Sequence, residues 1–511
     1  MQYARTGLVQ NVTITCNQGA DVKTIDGKIR KIAGIVLAFV ALVLFQSIHF
    51  PATLTPVGQA LLSVMVFMLI LWVSEAVGYA ASSFLLIASF TILVAISPAS
   101  SNPGKLIGTK EALKMALSGF SSEAWVLVAC ALFLASAIEI TGLGRRIGFF
   151  ILCRMGAKPK RVLLGVLLMS FILTLFIPAQ AANAALMTAV SIGIIEAFRL
   201  DLKSNLSKAM LLIVAFGTGI SGMGILTSGA PPVQTAMYIS TATKHDISWL
   251  QWAVYGMPFS LAVGFVLFLL VLRFFPVGDE ELEGGCELIY KRYDEVGRIS
   301  AKEKKLLAIM CATIFLWATG KVLHPLDPST VAILAVVAIF FPGINVATWK
   351  ELERKVNWGT LMLFGAAISL GIWLLKSGAA AWVAQNTIIS LGVDKWPLLL
   401  MIAAGGLFFA IFSLAFSARS AAVAALVPTA IGFAQGLSIP GLNVWGLTLI
   451  MYYSIQFSVI IPVNTPMSMV AYSTNTFSSD EMLKVGVPLV LIAVGLMVVF
   501  STTYWHWLGL V

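Results

Sequence analysis

Charge is what this sequence has least of. Asp, Glu, Lys and Arg together make up 11% of 511 residues, whereas a soluble domain carries about 25%. A water-soluble globular protein and a disordered chain are both excluded. Histidine and cysteine are scarce as well. His49, His245, His324 and His506 form no HExxH or HxH pattern, and Cys16, Cys130, Cys153, Cys286 and Cys311 show no CxxC or other metal-ligand spacing. The cysteines read as small buried residues rather than a disulfide frame, and no cofactor is expected. There is no nucleotide-binding loop, and no Ser/His or Asp/Asp pair at helical spacing inside an apolar block, which argues against an intramembrane enzyme. Residues 1–31 are polar and carry no signal-peptide pattern.

What is abundant is apolar residue, 59% of the chain, gathered in blocks of about 20, the length that crosses a hydrocarbon core as a helix. Outer-membrane barrels instead alternate apolar and polar residues in segments of about 10. The chain therefore reads as an all-α polytopic protein of the cytoplasmic membrane, with the lipid bilayer as its main partner. The net charge of +10 belongs to cytoplasmic loops rather than to a nucleic-acid surface.

Spans are expected near 32–50, 58–75, 78–97, 123–141, 208–243, 249–274, 305–322, 329–346, 358–375, 446–480 and 486–509. Two further stretches, 161–200 and 397–436, each hold two apolar arms around a polar or small-residue centre, Pro178–Asn183 and Ser417–Ser420. They read as re-entrant helical hairpins, whose tips survive at membrane depth only where protein or a wet cavity surrounds them. Within 208–243 the run Gly222–Pro232, and within 446–480 the run Pro462–Pro466, predict helices broken near mid-membrane, because proline deletes a donor and clashes with the preceding turn.

The second half repeats the first. Sliding it back lays Arg419 over Gln180, Ala424 over Ala185, Ile431-Gly432 over Ile192-Gly193 and Gln435 over Glu196. A slightly different shift lays Pro466 over Pro231 and Ala471 over Ala236. The expected organisation is a cytoplasmic segment 1–31, a leading helix 32–55, repeat 1 over 56–275, a charged cytoplasmic linker 276–304 and repeat 2 over 305–511. With the N-terminus inside and eleven spans, the C-terminus lies outside. All 33 Lys and Arg then fall inside except Lys105, Lys110, Lys114, Lys244, Lys321, Lys376, Lys395 and the intramembrane Arg419, as the positive-inside rule requires. The repeats have opposite topology. Inverted repeats with broken helices are the build of a secondary transporter with a midplane site.

At these residues the sequence resembles the divalent anion/sodium symporter family, carriers of di- and tricarboxylates within the ion transporter superfamily. The resemblance spans nearly the whole chain from about residue 56. It includes Gly119–Ser122 before Trp125, Thr141–Ile147, Trp358–Gly365 and Met482–Leu489. It implies a small anionic substrate and a homodimer. In the family a Ser-Asn-Thr triplet at each hairpin tip helps hold sodium and grips the substrate carboxylates. Here those positions read Ala179-Gln180-Ala181 and Ala418-Arg419-Ser420, and the family's Gly-Thr-Pro-Pro-Asn break reads Gly229-Ala230-Pro231-Pro232-Val233. The second break keeps Thr465-Pro466, with Ser468 where Asn is usual.

These departures have physical consequences. Each Ser-to-Ala change removes a hydroxyl ligand for sodium, leaving Gln180 and the backbone of Gly224 as residual oxygen ligands. Arg419 is permanently charged, with five donors and no acceptor, and repels a nearby cation. Three readings of it stand side by side: an anchor for the substrate anion, a structural ion pair with Glu75, Glu123, Glu139 or Glu196, or a side chain that reaches water. Gln180 and Asn183 either meet the ligand or cap the first tip. Thr227, Ser228, Ser420, Asn464, Thr465 and Ser468 either touch substrate or satisfy backbone groups freed by the breaks. The expectation is an anion carrier coupled by exchange or protons rather than sodium. A sodium-coupled dicarboxylate symporter with degenerate sodium sites is the alternative, and a passive anion channel a more distant one.

Overall fold

The computed structural model describes residues 18–48, 50, 53–99, 102–416, 418–437, 439, 442–462 and 465–511. Helices α1 (Gln18–Ser47), α2 (Pro56–Ser74) and α3 (Tyr79–Ala95) lead into a small antiparallel hairpin, β1 (Pro98–Ala99) and β2 (Asn102–Leu106), and an amphipathic helix α4 (Thr109–Leu117). Next come α5 (Glu123–Thr141), α6 (Leu143–Met155), α7 (Pro159–Phe176), α8 (Gln180–Ala197), α9 (Asn205–Met223), α10 (Ala230–Thr243) and α11 (Trp249–Phe274). The region expected as a plain linker contains α12 (Gly285–Glu295). The second half runs α13 (Ala301–Thr319), α14 (Pro328–Phe340), α15 (Trp349–Glu353), α16 (Trp358–Lys376), α17 (Ala379–Leu391), α18 (Leu398–Ser413), α19 (Arg419–Gly436), α20 (Val444–Ile455), α21 (Pro466–Tyr472), α22 (Ser479–Thr502) and α23 (Tyr504–Trp507).

Among the described residues, eight helical segments are long and apolar enough to cross a bilayer: α2, α5, α7, α8, α9, α11, α16, and α22 with its continuation α23. Several expected spans differ from the helices that form. The stretch 305–322 starts at Ala301, because Ser300 and Glu303 make a reciprocal capping box there. The stretch 329–346 stops at Phe340, two residues before Pro342. The stretch 486–509 begins at Ser479, where Ser478 and Glu481 make a second capping box. The stretches 208–243 and 446–480 are interrupted, and 161–200 and 397–436 are each two helices with a short connector.

After α4 the order is long helix, short helix, helix pair, interrupted helix, long helix (α5 to α11), and after α15 the same order returns (α16 to α22). The packing is reciprocal too. α3 lies against α16 while α14 lies against α5, and α10 lies against α19 while α21 lies against α8. α9 is buried almost end to end and packs on α7, α8, α11 and α21, so it serves as the central post of the molecule.

Candidate substrate site

Two helices begin at the centre of the molecule with uncovered ends. α7 gives way to α8 through Ile177-Pro178-Ala179. The proline holds Ile177 extended, and Ala179 offers no side-chain cap, so the first amides of α8 are left free of side-chain acceptors. α19 starts the same way, with Ala418 extended and no side-chain cap before Arg419. Gln180 and Arg419 are each the first residue of their helix.

Two interrupted helices pass these ends. α9 ends at Met223 with Gly224 as its C-cap, a single 3-10 turn covers Leu226–Ser228, and α10 follows from an extended Gly229. Pro231 and Pro232 have no N–H, so they suit the first turn of α10 but leave it few donors to offer. α20 ends at Ile455 with Gln456 as its C-cap, a 3-10 turn covers Ser458–Ile460, and α21 starts at Pro466.

Arg419 joins these pieces. Its Nη1 donates to Gln180 Oε1 at 3.2 Å and to Gln456 Oε1 at 3.0 Å, and its Nη2 donates to the Gln456 carbonyl at 3.1 Å. An amide facing a guanidinium must present its oxygen, so both glutamines turn their Nε2 groups away. Arg419 is 5% exposed, Gln180 7% and Gln456 1%. Space for the cluster comes from α9: a Cβ on Gly219 would lie 2.7 Å from Arg419 Nη2, and one on Gly222 would lie 1.9 Å from Gln180 Nε2.

Two features of this arrangement bear on the readings of Arg419. It does not reach water, being buried. It also has no carboxylate partner among the described residues. Glu139 pairs with Lys355 and Glu196 with Arg292; the Glu123 carbonyl accepts from Ser329, and Glu75 is an exposed C-cap. A guanidinium thus sits desolvated, at the N-terminus of its own helix where the partial charge is also positive, held only by neutral oxygens. The C-terminal end of α20 offsets part of this, roughly half an elementary charge. Arg419 Nε and the Nε2 atoms of Gln180 and Gln456 are buried without a hydrogen-bond partner.

The other expected site residues use their side chains within the protein. Asn183, one turn along α8, donates from Nδ2 to Thr174 Oγ1 at 3.0 Å, and Thr174 in turn meets Ser221 Oγ at 2.8 Å. Thr227 Oγ1 accepts from Trp249 Nε1 at 3.0 Å. Ser228 Oγ donates to the Gly222 carbonyl at 2.7 Å, covering an acceptor freed by the break. Thr465 caps α21, taking the Ser468 amide at 3.2 Å and donating to Ser468 Oγ at 2.9 Å. Ser420 is buried in the first turn of α19. Gly224 closes α9 against Met257. Asn464 lies outside the described residues. Sequence reasoning missed Gln456, Tyr452 and Gly219, and read Gly222 only as the start of the break. The available signals were a lone amide in the apolar stretch 446–462 and a Gly-x-x-Gly spacing on the face of α9.

A family model described as the sodium:sulfate symporter transmembrane region matches residues 29–511. The chain belongs to this family, the divalent anion/sodium symporters. Its members are membrane transporters rather than enzymes, and this one is a multi-pass helical membrane protein. It is 34% identical over 477 residues to a membrane protein of Cupriavidus necator, covering 93% of each chain. It is 25% identical to the sodium-dependent dicarboxylate transporter SdcS of Staphylococcus saprophyticus, covering 92% of this chain and 90% of the relative. In fold it is similar to the YdaH transporter of Alcanivorax borkumensis, with a TM-score of 0.56, 14% identity and coverage of 83% and 97% of the two chains.

Proposed function

We propose that this symporter-family chain is a secondary active carrier of a small organic or inorganic anion, with Arg419 as the anion's anchor and with coupling by exchange or protons rather than sodium. The observation that carries the reading is a buried, permanently charged guanidinium with no carboxylate partner among the described residues. Placing such a charge at mid-membrane costs on the order of 2.5–3.5 kcal/mol or more, and an arriving anion would supply the missing counter-charge through charge-assisted hydrogen bonds. Against sodium stands the use of Gln180 Oε1, the residual ligand at the first tip, as an acceptor for Arg419. A cation there would lie beside a permanent positive charge.

The recurrence of element order and the reciprocal packing of α3–α16 with α14–α5 support two repeats, 56–275 and 305–511, of opposite topology. On this reading eleven segments cross the membrane, α7/α8 and α18/α19 are the re-entrant hairpins, the N-terminus is inside, and the two halves alternate access to Arg419. A cavity of about 670 Å³ lined by the start of α5, the face of α10, Leu226 and Trp249 comes to the first break from one side and serves as an approach.

The second reading, a sodium-coupled dicarboxylate carrier, is favoured by the printed activity of the Staphylococcus relative. Counterflow in proteoliposomes separates the two, using an anion selected by thermal-shift screening of mono-, di- and tricarboxylates, sulfonates and sulfate. The proposal expects uptake to persist when potassium replaces sodium and to be lost in Arg419→Gln. Uptake abolished by sodium removal alone would favour the second reading.

A further inference from the structure

We infer that the ligand bound at Arg419 carries a single negative charge, as in a sulfonate, a monoalkyl sulfate or a monocarboxylate, and that dianions are excluded by charge. This rests on the anion-carrier reading above and narrows it.

The site has one full positive charge and no second cation to share the work. Among the described residues the other buried or half-buried cations of the interior are already neutralised, Arg146 by Glu303 and Lys208 by Glu481. Beyond the guanidinium itself the free polar groups here are neutral and mostly donors, with Asn183 Oδ1, one turn along α8 from Gln180, as a free acceptor. Arg419 Nε, Gln180 Nε2, Gln456 Nε2 and the Tyr452 hydroxyl are all buried without partners. Tyr452 lies one turn before Gln456 on α20, on the same face. Such donors match the oxygens of one sulfonate, sulfate-ester or carboxylate head.

The helix ends add little further charge. The first turn of α21 is closed by Thr465 on the Ser468 amide, and α10 opens on Ala230-Pro231-Pro232 with two donors missing. The N-termini of α8 and α19 are each set against a helix C-terminus: Gln180 lies on Gly222 in the last turn of α9, and Arg419 meets the Gln456 carbonyl at the end of α20; the opposed partial charges largely cancel. The total is close to one positive charge. A monoanion neutralises it, while a dianion leaves one negative charge buried and unpaired, which is strongly disfavoured in a dry interior.

Methyl sulfate and methyl phosphate test this because they share a shape. Methyl sulfate is a monoanion at all working pH, whereas the second ionisation of a phosphate monoester lies near pH 6. Binding of each to the purified full-length protein is measured by titration calorimetry in sodium-free buffer at pH 5 and pH 8. The expected result is methyl phosphate binding about tenfold or more tighter at pH 5 than at pH 8, with methyl sulfate holding its affinity within about twofold across the same interval. Methyl phosphate binding equally well or better at pH 8, with methyl sulfate constant, overturns the single-charge inference and leaves the anion-carrier reading standing. Failure of both anions to bind at either pH, or unchanged binding of both in Arg419→Gln, overturns the two together.

Discussion

At the scale of single residues, the site depends on a planar cation held flat between two amides and on two glycines that admit it. Arg419→Lys keeps the charge but not the fork that reaches Gln180 and both oxygens of Gln456 at once. It should fold, and anion affinity measured by calorimetry should fall by about tenfold to a hundredfold. Gly222→Ala puts a methyl where Gln180 Nε2 now lies. The amide is the end of a flexible side chain and will swing away, so the expected cost is about 1–3 kcal/mol of stability, read as a lowered Tm, together with weakened anion binding. Gln180 and Arg419 were legible in the sequence because they occupy matching places in two similar halves. Gln456 was not, because what recruits it is the end of α20 falling beside the tip of α19, a contact between segments 37 residues apart. Gly222 marked the break in the sequence, but its purpose and that of Gly219 were not legible for a related reason: a small residue shows what it makes room for only once the side chain that fills the gap is in place.

At the scale of elements, proline and glycine announced the two interrupted helices, and the apolar blocks announced α2, α5, α11 and α16 closely. The short helices α4, α6, α12 and α17 went unread. α6 and α12 carry enough charge to look like loop, and helices of this length are decided by what they pack against. α12 packs on α6 and α8, and its Arg292 meets Glu196, which sits at the end of α8 opposite the one that carries Gln180 and so lies out of reach of Arg419. The strongest link in this region is buried. Arg146 on α6 donates from Nε to Glu303 Oε1 at 2.8 Å and from Nη2 to Oε2 at 3.2 Å, and its Nη1 donates to the Gly297 carbonyl at 2.9 Å. Glu303→Gln leaves that guanidinium without its counter-charge and should cost about 3–5 kcal/mol. The Tm in detergent would show it. Joint replacement by apolar residues, Arg146→Met with Glu303→Leu, should recover most of the loss.

At the scale of the whole molecule, the contacts that tie the two halves together also set a pH limit. His245, in the loop after α10, stacks on Trp445 at the start of α20 with ring centroids 4.2 Å apart and planes 12° from parallel. Burial, then the nearby Lys321, hold its pKa below the ordinary value of 6.5, and Asp246 offsets only part of this. A depressed histidine stabilises the fold when neutral, so its contribution is full above about pH 6.5 and is lost as pH falls below it. Thermal stability should therefore be level from pH 8 to 7 and decline on further acidification, and His245→Gln should remove that part of the decline. Membrane class and repeated order were legible because hydropathy and punctuation are local. The pairing of α10 with α19 and α21 with α8 was not, because it joins residues from opposite halves of the chain. The most direct measurement is a cryo-EM structure of the protein with methyl sulfate in sodium-free buffer. Density for the anion within hydrogen-bonding distance of Arg419 Nε and of the Gln180 and Gln456 amides is the predicted result. Density at another place, with Arg419 still bound only to its glutamines, would contradict the proposal that this guanidinium is the anion's anchor.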